Sequence, residues 1–156
     1  MNRRAFLIAV LALGLAACEQ QATRNPLAPD TRLTVENRDG SSHDFTIEIV
    51  VSDADIERGL MFRAALDPDA GMLFHFGARE IEAAFWMKDT LIPLDLIFVR
   101  ADGTVSRIHE DARPNDLTEI LSEGPIAAVL EINAGRTREL GIGVGSRLRH
   151  PLFGNR

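Results

Sequence analysis

Two Asp-Gly pairs, each set between apolar runs, constrain the fold of this chain more than any other feature. Phe45, Ile47, Ile49 and Val51 alternate with Asp44, Thr46, Glu48 and Val50, the period of a strand with one buried face. Asp39-Gly40 precedes that run and residues 33–35 precede the turn, so the two segments suit a hairpin across an Asp-Gly turn. Asp102-Gly103 joins apolar residues 94–99 to residues 104–110 in the same manner. Residues 72–76, 83–87, 126–133 and 147–150 are further strand candidates. Helical signals are short. Ser52 with Asp55 three residues later resembles a capping box, and Ile56 and Leu60 then fall one turn apart. Asn133 is the candidate cap of a second helix through Leu140, with Gly141 as its left-handed stop. The expected fold is mainly β (α+β): a compact β-sandwich or small barrel with about two short accessory helices.

The front of the chain carries an address. Arg3 and Arg4 form a positive n-region, and residues 5–17 form an unbroken apolar stretch. Thirteen residues are too few for a spanning helix, which needs about 20. The stretch ends in Leu15-Ala16-Ala17-Cys18, which resembles the lipobox of bacterial lipoproteins. That resemblance implies cleavage before Cys18, a diacylglyceryl group on its thiol and an acylated new amino terminus, several chains that anchor stably where one would not. Arg3-Arg4-Ala5-Phe6-Leu7 also resembles a twin-arginine signal, so export by Sec or Tat is open. The expected location is the cell envelope, with the domain facing the periplasm or the outer surface. Residues 1–17 are then a signal peptide and residues 18–31 a lipidated cysteine and tether, the latter spanning about 40 Å if extended. Residues 32–152 form a single globular domain and residues 153–156 a tail.

Charge and cysteine content exclude whole classes of function. The 156 residues carry 17 basic and 23 acidic side chains, a net charge of −6. Removing Arg3 and Arg4 leaves 15 basic against 23 acidic residues, or −8 for the mature chain. Such a body is a poor partner for nucleic-acid phosphates, and the Cys18 lipid is its membrane contact. The single cysteine excludes intrachain disulfides and thiolate-clustered zinc, and once lipidated it leaves no thiol for catalysis. No His-Glu-x-x-His, EF-hand or Gly-x-Ser-x-Gly motif is present, so no cofactor is expected and no metal site is assigned. Met61, Met72 and Met87 are a weak soft-metal set, because methionines at such spacing are ordinary core residues. Gly141-Ile142-Gly143-Val144-Gly145 lacks the strand–loop–helix order of a phosphate loop and suits a tight turn.

Five blocks in order carry a family resemblance. Arg58-Gly59-Leu60-Met61-Phe62-Arg63, Gly71-Met72-Leu73-Phe74, Phe85-Trp86-Met87-Lys88, Ile92-Pro93-Leu94-Asp95 and Val129-Leu130-Glu131-Ile132-Asn133 resemble the domain-of-unknown-function 192 family over roughly residues 33–148. The resemblance implies a compact, mainly β domain, often exported, and implies no activity. Asp89 stands where the family pattern leads one to expect asparagine.

Four constellations could carry chemistry. Strand parity puts Trp86 and Lys88 on one face, an aromatic beside an ammonium that suits a small-molecule or glycan ligand; a core tryptophan beside a solvated lysine is the alternative. Asp95, held just after Pro93, needs a partner such as Lys88 or an arginine, and serves either as an anchored acid in a cleft or as a structural pair. His109, Glu110 and Asp111 offer an imidazole and two carboxylates, but consecutive strand residues diverge unless a bulge intervenes, and the alternation of Thr104, Ser106 and Ile108 hints at a register change. Glu131 shares a partly apolar face with Val129, where pairing with Arg58 or Arg63 is the simplest expectation. Two functions compete: a lipid-anchored binding or interaction module around Trp86, Lys88 and Asp95, and an envelope hydrolase or transferase using His109 with Glu110 or Asp95.

Overall fold

The computed structural model describes residues 31–77 and 79–155. The expected signal peptide, Cys18 and nearly all of the expected tether lie outside the described residues. Nine strands and two helices follow in order: β1 (Thr31–Glu36), β2 (Ser42–Val50), α1 (Asp53–Arg58), β3 (Ala70–His75), β4 (Ala84–Phe85), β5 (Leu94–Val99), β6 (Val105–Ala112), β7 (Ile120–Leu121), β8 (Ala128–Asn133), α2 (Arg136–Leu140) and β9 (Arg147–Arg149). A 3-10 turn over Pro151–Phe153 ends the fold. Seven strands form one curled sheet in the order β6-β5-β8-β3-β2-β1-β9, and β4 pairs with β7 in a small second sheet. The protein is therefore mainly β, a half-barrel with two short helices.

Both Asp-Gly turns make the hairpins their flanking patterns demand. β1 and β2 pair antiparallel from Glu36 opposite Ser42 to Thr31 opposite Ile47, and β5 pairs antiparallel with β6. The parallel pair, β2 with β3, needs a crossover, and α1 lies within it. Ser52 caps α1 as its sequence indicates, its hydroxyl accepting from the Asp55 N–H. The barrel draws together at one corner, where Thr104 bridges Arg147 and the Leu148 N–H donates to the Gly103 carbonyl. Gly103 is needed there: at φ +86°, an added Cβ would lie 2.4 Å from the Leu148 oxygen.

Apolar side chains fill both faces of the main sheet. Inside the curl lie Leu33, Phe45, Ile47, Leu73, Ile97, Leu130 and Leu148, all fully or nearly fully buried. Phe153 joins them, so the packed domain runs past residue 152. On the opposite face Met72, Phe74, Leu94, Leu96, Phe98 and Val129 pack under α1, β4 and the loops around them. β5 is buried along its whole length because it contributes to both cores. The methionines fit this packing: Met72 and Met87 are core residues, while His75 points to the other face of β3.

One cap differs from expectation. Gly135, in a left-handed conformation, precedes α2, and it has no side chain to cap the helix. Asn133 instead donates its amide to the Leu66 and Asp67 carbonyls. Gly141 closes α2 in the left-handed conformation, as its sequence position suggests. Among the described residues, no helix is long and apolar enough to cross a membrane.

Candidate functional site

The register of the sheet sorts the candidate residues into two groups. Cross-strand partners share a face. Glu48 pairs with Met72, Met72 with Glu131, Glu131 with Leu96, and Leu96 with His109, so all five side chains lie in one row on the α1 side of the sheet. Asp95 pairs with Ile132 and therefore faces the inside of the curl.

Asp95 thus stands apart from Trp86 and Lys88, and its partner is neither lysine nor arginine. It is fully buried. One carboxylate oxygen accepts from the Asp111 N–H at 2.9 Å, and the other accepts from the Thr137 N–H at 3.0 Å and its hydroxyl at 2.6 Å. The acid that Pro93 fixes at the start of β5 caps α2 from a distant strand, doing what Gly135 cannot. A three-donor set is what a buried carboxylate requires. Asp95 is accordingly a structural anchor rather than a ligand contact.

The hydrolase constellation does not assemble. Between Leu94 and Leu96 on β5 the register of β6 moves from Ala112 to His109, a bulge that contains Asp111 at φ +54°. The register change anticipated near Ile108 is real. It turns Glu110 and Asp111 toward α2, where both accept from Arg138, at 3.0 and 2.7 Å. Glu110 also lies 3.5 Å from the Thr137 hydroxyl, next to Asp95. His109 sits in the row on the other face, and no hydrogen bond joins it to Glu110 or Asp95 among the described residues. The imidazole and its expected carboxylates are on opposite sides of the sheet.

Trp86 and Lys88 do meet. Trp86 is 47% exposed just beyond β4, and the Lys88 ammonium lies 5.6 Å from the centre of its ring, a cation–π contact. Met87 between them is buried, as alternation requires.

Beneath Trp86 opens a cavity of about 320 Å³ between α1, β3, β4 and β8. Phe74, Phe76 and Phe85 wall it, and Ile56 and Leu60 approach from α1 and its end. The Phe85 ring stands edge-on to Phe74 at 5.3 Å and to Phe98 at 6.2 Å, which locks the wall. Gly59 ends α1 at φ +46° with the Phe74 ring where a side chain would begin: an added Cβ would come within 3.1 Å of it. The size falls at the lower end of small-ligand sites, about 300–1,000 Å³.

Glu131 borders this cavity, and sequence reasoning misplaced its partner. Arg63 makes a two-pronged ion pair with Glu48, both contacts at 2.5 Å. Arg58 lies at the cavity beside Glu57 on α1. Neither is bonded to Glu131, which is 5% exposed and has no hydrogen-bond or ion-pair partner among the described residues. Burial alone pushes its carboxyl up from 4.5 to about 8. At neutral pH it is mostly protonated and offers an O–H donor. The signal was present in sequence as a lone acid on an apolar strand face; what could not be read was that Arg63 pairs with Glu48 and that Arg58, though it lines the same cavity, makes no ion pair with Glu131. Among the described residues, no three His, Cys, Asp or Glu side chains gather as a metal-binding group.

Comparison with known proteins agrees with this fold. A crystal structure of a proposed transcription regulator from Sinorhizobium meliloti matches with a TM-score of 0.76 and 41% identity, over 78% of this chain and 93% of that one. A protein of unknown function from Novosphingobium aromaticivorans matches with a TM-score of 0.74 and 40% identity, over 78% of this chain and 85% of that one. No curated protein matches significantly. The model of the DUF192 family, described as "Uncharacterized ACR", matches residues 34–150. With the half-barrel and these relatives in agreement, the chain belongs to the DUF192 family.

Proposed function

We propose that this protein is a lipid-anchored cell-envelope module that binds a small molecule in the cavity beneath Trp86. One observation carries the reading: a buried carboxyl without a protein partner beside an aromatic-walled cavity. Its oxygens are not among the polar atoms sealed away without a partner, so the carboxyl opens on the cavity, where a ligand can meet it. A core position serving stability alone would suit leucine, so an acid there argues for use. Trp86 at the rim adds exposed aromatic area next to the opening. The anchor rests on the Cys18 motif, which would hold the domain on a tether of roughly 40 Å.

The description of the Sinorhizobium relative as a proposed transcription regulator belongs to that protein. Here the net charge of −8 expected for the mature chain opposes binding to nucleic-acid phosphates. Native mass spectrometry after incubation with a small-molecule extract of the cell envelope tests the reading. A retained mass that Trp86→Ala and Glu131→Gln both lose is expected. A wild-type protein that retains nothing, or variants that retain the same mass, would remove the site.

A further inference from the structure

Resting on that reading of the cavity, we infer that its ligand is an organic amine, whose ammonium group pairs with Glu131 while an apolar body lies against Phe74, Phe85 and Trp86. The geometry distinguishes this from other ligand chemistry. The walls are aromatic rings, whose faces attract cations. Glu131 is the carboxyl buried against the cavity, and it lacks a cation of its own. The cation that lines the cavity is Arg58, which is exposed and accompanied by Glu57, and the Lys88 ammonium lies against the Trp86 ring at the rim, so a carboxylate ligand meets no buried cation. An amine completes the site by supplying both the opposite charge and the missing hydrogen-bond donors.

Binding then moves a proton. An ammonium group favours the ionised carboxylate, so the Glu131 proton passes to solvent as the ion pair forms. Other charged groups near Glu131 are few. The Glu48–Arg63 pair lies two strands away in its row, and His109 lies two strands away on the other side. Glu57 and Arg58 approach from α1, and Lys88 lies over Trp86.

The test uses three probes with one apolar body: 2-phenylethylamine, 2-phenylethanol and phenylacetate. Trp86 is the chain's only tryptophan, and there is no tyrosine, so fluorescence of the full chain in a nonionic detergent reports on the cavity rim. The amine is expected to bind tightest. Its apparent affinity should rise about tenfold from pH 6 to 7 and about fivefold more to pH 8, following the ionised fraction of a carboxyl that titrates near 8. Glu131→Gln should flatten that profile, and His109→Gln should leave it intact.

Equal or tighter binding of the alcohol, with affinity falling as pH rises, would overturn the amine and leave the cavity reading in place. Tightest binding of phenylacetate would overturn it in favour of Arg58. A flat profile in His109→Gln would take the titration away from Glu131 and overturn the ion pair. If none of the probes changes Trp86 fluorescence or protects the chain from urea, both the amine and the cavity reading fail.

Discussion

Glu131→Gln should make the protein more stable, and by an amount that depends on pH. The wild-type carboxyl has its ordinary value of 4.5 in the unfolded chain and is raised to about 8 in the folded one. Between those values the folded state holds a proton that the unfolded state has released, so folding stability falls as pH rises. The stabilising share of the bound proton is fully present below 4.5 and is lost as pH climbs to about 8. The slope is about 1.4 kcal/mol per pH unit, which amounts to about 3 kcal/mol by pH 7. That is a large part of the 5–15 kcal/mol that holds typical domains folded. Glutamine has nearly the same shape and does not titrate. The difference between variant and wild type should therefore be small near pH 4.5 and approach about 3 kcal/mol at pH 7, with a plateau above pH 8. Urea unfolding followed by Trp86 fluorescence at several pH values measures it, and taking the difference cancels the titration of all other groups. A difference that does not change with pH would refute the reasoning, because Glu131 would then titrate alike in both states. A stabilised variant that also loses the ligand is the expected exchange between stability and function.

Other outcomes follow from the same geometry. Asp95→Ala removes the acceptor for three donors, from Asp111 and Thr137, and should cost about 3–5 kcal/mol in urea unfolding; a loss under about 1 kcal/mol would show that α2 is held in another way. Trp86→Ala removes a half-exposed ring and should melt cooperatively within a few degrees of wild type by circular dichroism. A collapse of the melting temperature would instead make Trp86 a core residue. Cys18→Ala should yield protein without acyl chains by intact mass; a fully lipidated product would refute the anchor.

What the residues alone determined is local. The period of two around Phe45–Val50, the two Asp-Gly turns, the Ser52 cap and the Gly141 stop each depend on a few neighbouring residues, so their outcome is written in the sequence. Parity likewise put Trp86 beside Lys88, and Glu131 with Val129. The family blocks could be recognised for the same reason, since they follow these elements. Tertiary structure decided which faces meet. Because both sides of the main sheet are buried, alternation could not tell that Asp95 lies inside the curl while Glu131 and His109 lie on its opposite face. The β6 bulge then turned Glu110 and Asp111 away from His109. The sequence allowed Arg63 to pair with Glu131; in the fold it pairs with Glu48, which the β2–β3–β8 register separates from Glu131 by Met72. The burial and partners of a charged group depend on strands distant in sequence, and they decide whether it anchors the fold, as Asp95 does, or is left to a ligand, as we propose for Glu131.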